Sequence, residues 1–161
     1  MRNRLTALLF GALLLPLTSQ AEQASTPERV KSAVTQQLNR YEAALNASDL
    51  DRVMALYADD AVFMPQNHVP AVGRDAVRET YRQVFKAIKL DVRFSVDEIQ
   101  MLSSDWAFAR TRSNGTVETL LGERKTSGEG NQEVFLLHRE ADGQWRFARY
   151  IFSSTNPPGT P

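Results

Sequence analysis

The chain has 161 residues, 42% of them hydrophobic, with 19 basic and 19 acidic side chains and no cysteine. One domain is the natural count at this length, and the composition is that of a globular protein rather than a disordered one. The missing cysteine excludes a disulfide scaffold, thiolate zinc sites, iron–sulfur clusters and a cysteine nucleophile, and a formal net charge of zero argues against a nucleic-acid partner, which needs a basic stripe to displace counterions.

Residues 1–21 read as a secretory signal. Met1-Arg2-Asn3-Arg4 is a basic start, Leu5 to Leu17 is almost wholly apolar, and Ser19-Gln20-Ala21 places small residues where a signal peptidase reads them. The apolar run is shorter than the roughly 20 residues a comfortable membrane span needs. Cleavage after Ala21 removes two arginines and leaves a slightly acidic chain. The expectation is therefore a periplasmic or secreted protein with no membrane attachment after cleavage, held together by its core alone.

Residues 22–155 are expected to form the single domain. Thr26-Pro27-Glu28 opens a helix with a hydroxyl cap, a first-turn proline and an acid near the positive end. Val30, Val34, Leu38, Tyr41 and Leu45 make its inward stripe. Ser48, with Asp51 three residues on, predicts the cap of a second short helix that buries Leu50, Val53, Met54 and Tyr57. Asp59-Asp60 is expected to cap that helix or turn the chain. Ala61 to Met64 is a short strand, and Pro65 to Val72, with two prolines, a loop carrying His68. Gly73-Arg74-Asp75 starts a third helix, with Val77, Tyr81, Val84, Phe85 and Ile88 inward.

The period then changes to two. Leu90, Val92, Phe94 and Val96 alternate with polar residues, and Ile99 and Met101 continue in the opposite phase. One such slip within a strand predicts a β-bulge and a bent sheet. Trp106 to Leu121 is a second long strand, Gly122 to Gly130 a polar turn. Glu133 to Arg139 and Trp145 to Ser154 form a hairpin around Asp142-Gly143. Residues 156–161, with three prolines, are expected to be a disordered tail. Long consecutive strands with short turns are antiparallel, so the fold class is α+β: three N-terminal helices on a strongly curved antiparallel sheet, forming a cone with a ligand at its mouth.

Polar side chains on otherwise apolar strand faces mark the candidate site. Arg110 shares a parity with Trp106 and Phe108, Glu133 with Phe135 and Leu137, and Arg149 with Trp145 and Phe147. A bulged three-residue turn puts Glu133 and Arg149 on one face; a tight two-residue turn separates them. A paired arginine would orient an anionic or carbonyl-bearing ligand with its planar fork; otherwise these charges are a structural ion pair or belong to an outer face. Tyr41 and Tyr57, on inward helix stripes, are either oxyanion donors or core rings with satisfied hydroxyls. Phe63, Met64, Phe135 and Phe152 are apolar lining or core. Glu133 is the one candidate proton acceptor. No metal site is expected from two histidines about 70 positions apart without ligand spacing. Nor is a cofactor, since the chain has no Gly-rich phosphate loop, nucleophile elbow or dinucleotide fingerprint.

Several stretches carry a family resemblance. Tyr41 to Asp49, Ala55 to Pro65, Val72-Gly73-Arg74-Asp75-Ala76-Val77 and the closing Gly143 to Ser153 resemble the nuclear transport factor two-like superfamily, also called ketosteroid isomerase-like or SnoaL-like. Within it they are most similar to the SgcJ/EcaC group of small bacterial proteins. The resemblance implies a cone-shaped, cystatin-like fold, usually a homodimer through the outer sheet face. It implies no single activity, because fold is not function. Ketosteroid isomerases pair a carboxylate base with a Tyr and a protonated Asp, a trio with no residue-by-residue counterpart here. Tyr150 stands where the group often shows Asp. Apolar residues of both parities around Val134 to Leu137 independently suggest that the second sheet face is covered.

The expected function is an exported small-molecule-binding protein with a mostly apolar cone pocket and a few polar anchors, its ligand-binding residues being Tyr41, Tyr57, Phe63, Met64, Arg110, Glu133, Phe135, Arg149 and Phe152. The alternatives are an isomerase, cyclase or dehydratase using general acid/base chemistry on a small carbonyl compound, with Glu133 as the catalytic group, and a dimeric protein-interaction module.

Overall fold

The computed structural model describes residues 26–157. The signal segment therefore lies outside the described residues, as do positions 158–161 of the tail. Helix α1, Pro27–Asn46, is capped by the Thr26 hydroxyl, which accepts from the Arg29 amide, and buries Val30, Val34, Leu38, Tyr41 and Leu45 as the stripe predicts. Helix α2, Leu50–Met54, is a single short turn. Strand β1, Tyr57–Met64, and the two-residue β2, Ala71–Val72, follow before α3, Arg74–Ala87. The long strands are β3, Ile88–Met101; β4, Trp106–Thr119; β5, Thr126–Arg139; and β6, Trp145–Ser154.

Among the described residues these strands form one sheet in the order β2-β1-β6-β5-β4-β3. The sheet is mixed, not wholly antiparallel, because β1 runs parallel to β6. That geometry follows from the chain path: β1 and β6 are far apart in sequence, so no hairpin constrains their direction. Only α1 and α2 precede the sheet; α3 follows the β1–β2 pair, so the helices are not all N-terminal. The rest of the α+β reading stands, a curved six-stranded sheet with helices against it.

Several local expectations need correction. Asp49, not Ser48, caps α2, its carboxylate accepting from the Arg52 amide, while Ser48 takes the left-handed conformation at φ 51°. Tyr57 therefore belongs to β1 rather than to a helix, and Asp59 and Asp60 lie within that strand. Ile88 likewise starts β3. The end of the expected loop is β2, which pairs with β1 at Val62–Val72 and Phe63–Ala71. Strand β5 begins at Thr126, seven residues before Glu133, because Ser127, Glu129 and Asn131 continue the β4 pairing opposite Val117, Gly115 and Ser113. Asn156, expected in the tail, is tied down by its side-chain amide to the Gly128 carbonyl at 3.0 Å.

Two bulges in the long strands set which of their side chains face inward. The one expected in β3 lies between Val96 and Glu98. A second, in the β5–β6 pair, lies between Leu136 and Leu137, where the partner sequence jumps from Arg149 to Phe147. An extra residue reverses side-chain parity beyond it. Phe147 and Tyr150 consequently both point into the core.

The free edge of β3 is managed by α1. Asn46 donates from Nδ2 to the Val92 carbonyl and accepts from the Val92 amide, at 2.8 and 2.9 Å, and Glu42 accepts from the Phe94 amide at 2.8 Å. These side chains stand in for a neighbouring strand and blunt an edge that invites association. They also hold α1 over the sheet, where Tyr41 enters the core.

Candidate functional site

Between α1, α3 and the concave sheet face lies a mostly apolar cavity of about 140 Å³. Its apolar wall includes Leu45, Phe63, Leu90, Phe94 and Phe152, and its polar groups are Tyr41, Tyr81, Tyr150, Ser113, Glu129, Asn131 and Glu133. An apolar cavity of roughly 150 Å³ accommodates a benzene-sized molecule, so this one suits a single ring.

The sheet register builds the polar wall. Thr111 and Ser113 lie directly opposite Glu133 and Asn131 on the neighbouring strand. Glu133 is almost wholly buried and accepts hydrogen bonds on both oxygens, Oε1 from the Ser113 hydroxyl at 2.6 Å and Oε2 from the Thr111 hydroxyl. Burial pushes its pKa up from the ordinary glutamate value; the two hydroxyls work against that shift, and the nearby Asp97 charge adds to it.

The facing wall is a group of tyrosines. Tyr81, on α3, bonds through its hydroxyl to the hydroxyls of Tyr41 and, at 2.7 Å, Tyr57. Burial raises the pKa of all three, and of Tyr150, well above the usual phenol value, so they remain neutral O–H groups. The rings pack closely: Tyr150 stacks on Phe135 at 4.2 Å and on Phe63 at 5.1 Å, and Tyr41 meets both Phe135 and Phe147 edge-on.

Of the expected site residues, Tyr41, Phe63, Glu133 and Phe152 line the cavity. Tyr57 and Phe135 are fully buried core, outside the lining. Met64 falls on the other parity from Phe63, opposite Ile151. Arg110 points out of the cone and pairs with Asp97 at 2.9 Å and Glu98 at 3.5 Å. Arg149 also faces outward, with Nη1 donating to the Asp60 carbonyl at 3.1 Å. Of the two expected hairpin turns the bulged three-residue one occurs, Ala141-Asp142-Gly143, closed by the Glu140 amide donating to the Gln144 carbonyl at 2.9 Å with Gly143 at φ 78°, but a second bulge at Ala148 of β6 turns Arg149 away from Glu133. The expected Glu133–Arg149 pair is therefore absent, and hydroxyls rather than a cation hold the carboxylate.

Tyr81, Ser113, Asn131 and Tyr150 were not among the candidates. Tyr81 carried a signal, a polar tip on an apolar helix stripe. Ser113 and Thr111 did not, because the small inward residues Ala107, Ala109, Thr111 and Ser113 alternate with larger and more conspicuous outward ones.

Comparison with known proteins agrees with this architecture. A model of the SnoaL-like domain matches residues 38–148. A ketosteroid isomerase-like protein from Erwinia carotovora atroseptica SCRI1043 is 33% identical, with a TM-score of 0.75 over 78% of this chain and 96% of that one. An NTF-2 like protein of unknown function from Shewanella oneidensis MR-1 shares the fold at 21% identity and TM-score 0.61, covering 76% of this chain and 98% of that one. A protein with a cystatin-like fold from Caulobacter vibrioides does so at 19% and 0.66, over 80% and 91%. The matched segment runs from the middle of α1 to the bulge of β6 and contains both walls of the cavity except Tyr150 and Phe152; the chain belongs to the SnoaL-like domain family.

Proposed function

We propose that the cavity binds a compact molecule of about one ring bearing a carbonyl group, and that Glu133 exchanges a proton with it. The observation that carries this reading is a carboxylate with a raised pKa in the wall of an apolar cavity, opposite neutral tyrosine hydroxyls. A general base works best when its pKa approaches the operating pH. The two hydroxyl bonds to Glu133 leave one further lone pair on each oxygen to take a proton. Run in the direction Tyr57 to Tyr81 to Tyr41 and on to Tyr150, which Tyr41 also hydrogen-bonds, the hydroxyl chain leaves the Tyr150 proton for a ligand oxygen, and each bond upstream polarises the next.

Cyclohexanone in deuterated water supplies the simplest test. Exchange of its α-protons, followed by proton NMR, should be faster with the protein than with buffer alone. Binding without faster exchange would sink the acid/base reading and leave a carrier. The carrier is the second reading, and one observation favours it: both Glu133 oxygens are already clamped, which suits a fixed acceptor as well as a base.

The expected homodimer is also part of the proposal. Trp106, Phe108, Val134 and Leu136 are only half-buried on the outer sheet face, and Ile151 is 45% exposed there. A contiguous apolar strip of this kind supports a partner surface. Sedimentation equilibrium should return twice the chain mass, and a monomer at micromolar concentration would contradict the dimer.

A further inference from the structure

The polar wall on β4 and β5 has used up its donors. The Ser113 and Thr111 hydroxyls both donate to Glu133. The Asn131 amide nitrogen donates to Glu129 at 2.9 Å and to the Ser113 oxygen at 3.4 Å. What remains is acceptor capacity, and one acceptor is wholly unmet. Asn131 is 9% exposed, it lines the cavity, and its Oδ1 is buried without a hydrogen-bond partner. Rotating the amide does not repair this, since it would set a carbonyl oxygen against the Glu129 carboxylate. Glu129 thereby fixes which end of the amide is left over. An unpaired buried acceptor is costly, and native structures rarely keep one without a use.

We infer that Asn131 Oδ1 is a ligand-recognition group and that the cavity selects a ring carrying an O–H or N–H donor. The inference rests on the cavity being a ligand site, as proposed above, and adds the polarity of what it takes. The ligand then needs two different ends: an oxygen that accepts from the tyrosine hydroxyls and a donor that reaches β5. An unsubstituted hydrocarbon ring would fill the space and leave Oδ1 unmet. Sites built to hydrogen-bond a ligand discriminate against the analogue lacking that group for this reason.

Three probes of one-ring size test it: phenol, benzylamine and fluorobenzene, with affinities measured by ligand-observed NMR competition. Phenol or benzylamine should bind about tenfold more tightly than fluorobenzene, the difference a satisfied buried acceptor supports. Asn131→Leu should remove most of that preference, with fluorobenzene affinity kept or raised. Should that variant fold poorly, Asn131→Ala removes the same oxygen with less bulk. The better of the two donor probes tells a neutral hydroxyl from an ammonium source. Equal affinity for all three, or a preference that survives in both variants, overturns the inference. These are equilibrium readings that need no proton transfer, so they fail or succeed separately from the exchange test of Glu133. If no probe binds, the ligand reading itself falls.

Discussion

Replacing Glu133 with Gln should slow α-proton exchange of cyclohexanone by about 100-fold or more, within the range that a positioned general base contributes. The affinity for cyclohexanone should change little, because the amide keeps the size and most of the polarity of the wall. The pH profile carries a second signature. Exchange needs the ionised carboxylate, and burial raises its pKa, so the rate should rise through a pH range above the ordinary glutamate value and then level off. Glu133→Gln should lose that inflection. A variant that keeps the parent rate and profile would remove Glu133 from the chemistry altogether.

The same substitution makes an opposite prediction for stability. A glutamate whose folded pKa is raised holds its proton longer in the native state than in the unfolded chain. Its contribution to stability is therefore present at low pH. It is lost as pH rises from the ordinary value of 4.5 through the folded one. At neutral pH the parent bears the cost of a buried carboxylate that the amide does not. Thr111 and Ser113 hydroxyls can rotate to serve the amide as donor and acceptor. Glu133→Gln should thus be no less stable than the parent at pH 7, and its denaturation midpoint should depend less on pH in the acid range. Lost activity with retained stability is what separates a working carboxylate from a structural one.

Phe135→Ala should cost about 3–5 kcal/mol, a fall in Tm on the order of 10 °C for a domain of this size. Phe135 is fully buried, stacks on Tyr150 at 4.2 Å and lies 4.8 Å from Phe147 and 5.9 Å from Tyr41. Truncation removes the transfer free energy of the ring, opens a cavity that rigid aromatic neighbours cannot fill, and deletes aromatic pairs worth about 0.5–1.5 kcal/mol each. Phe135→Leu keeps more of the volume and should cost markedly less. Denaturant unfolding measures both, and a loss under about 1 kcal/mol for the alanine would show that the aromatic stack can collapse inward.

Much of the helical part was legible in the sequence because helices report their own burial. The stripe from Val30 to Leu45 has the period of the structure it forms, and its cap, Thr26-Pro27, is local chemistry. The β3 bulge was equally readable, since a slip from Val96 to Ile99 appears within a single strand. The bulge at Ala148 left no comparable trace. Trp145, Phe147, Arg149 and Ile151 alternate without a break, and only pairing with β5 shows where the extra residue goes. That one residue moved Arg149 out of the cone and brought Tyr150 in.

The candidate site divides along the same line. Glu133 was recognisable as a carboxylate sharing a face with Phe135 and Leu137, and it is buried beside the cavity as that parity implies. Arg110 lies on the outer face because the larger side chains of β4 point away from the helices, whereas Ala107, Ala109, Thr111 and Ser113 face them. Helices packed close against a sheet leave room for small residues, and bulk goes to the other face. The sequence by itself determined the α+β class, the family, the helix faces and the one carboxylate of interest, because periodicity and local caps are properties of short segments. The tertiary structure decided the parallel β1–β6 pair, the tyrosine hydroxyl chain, the hydroxyl clamp on Glu133 and the unmet Asn131 oxygen. Each of these joins residues distant in the chain, and strand register, which a single bulge can reverse, decides which of them meet.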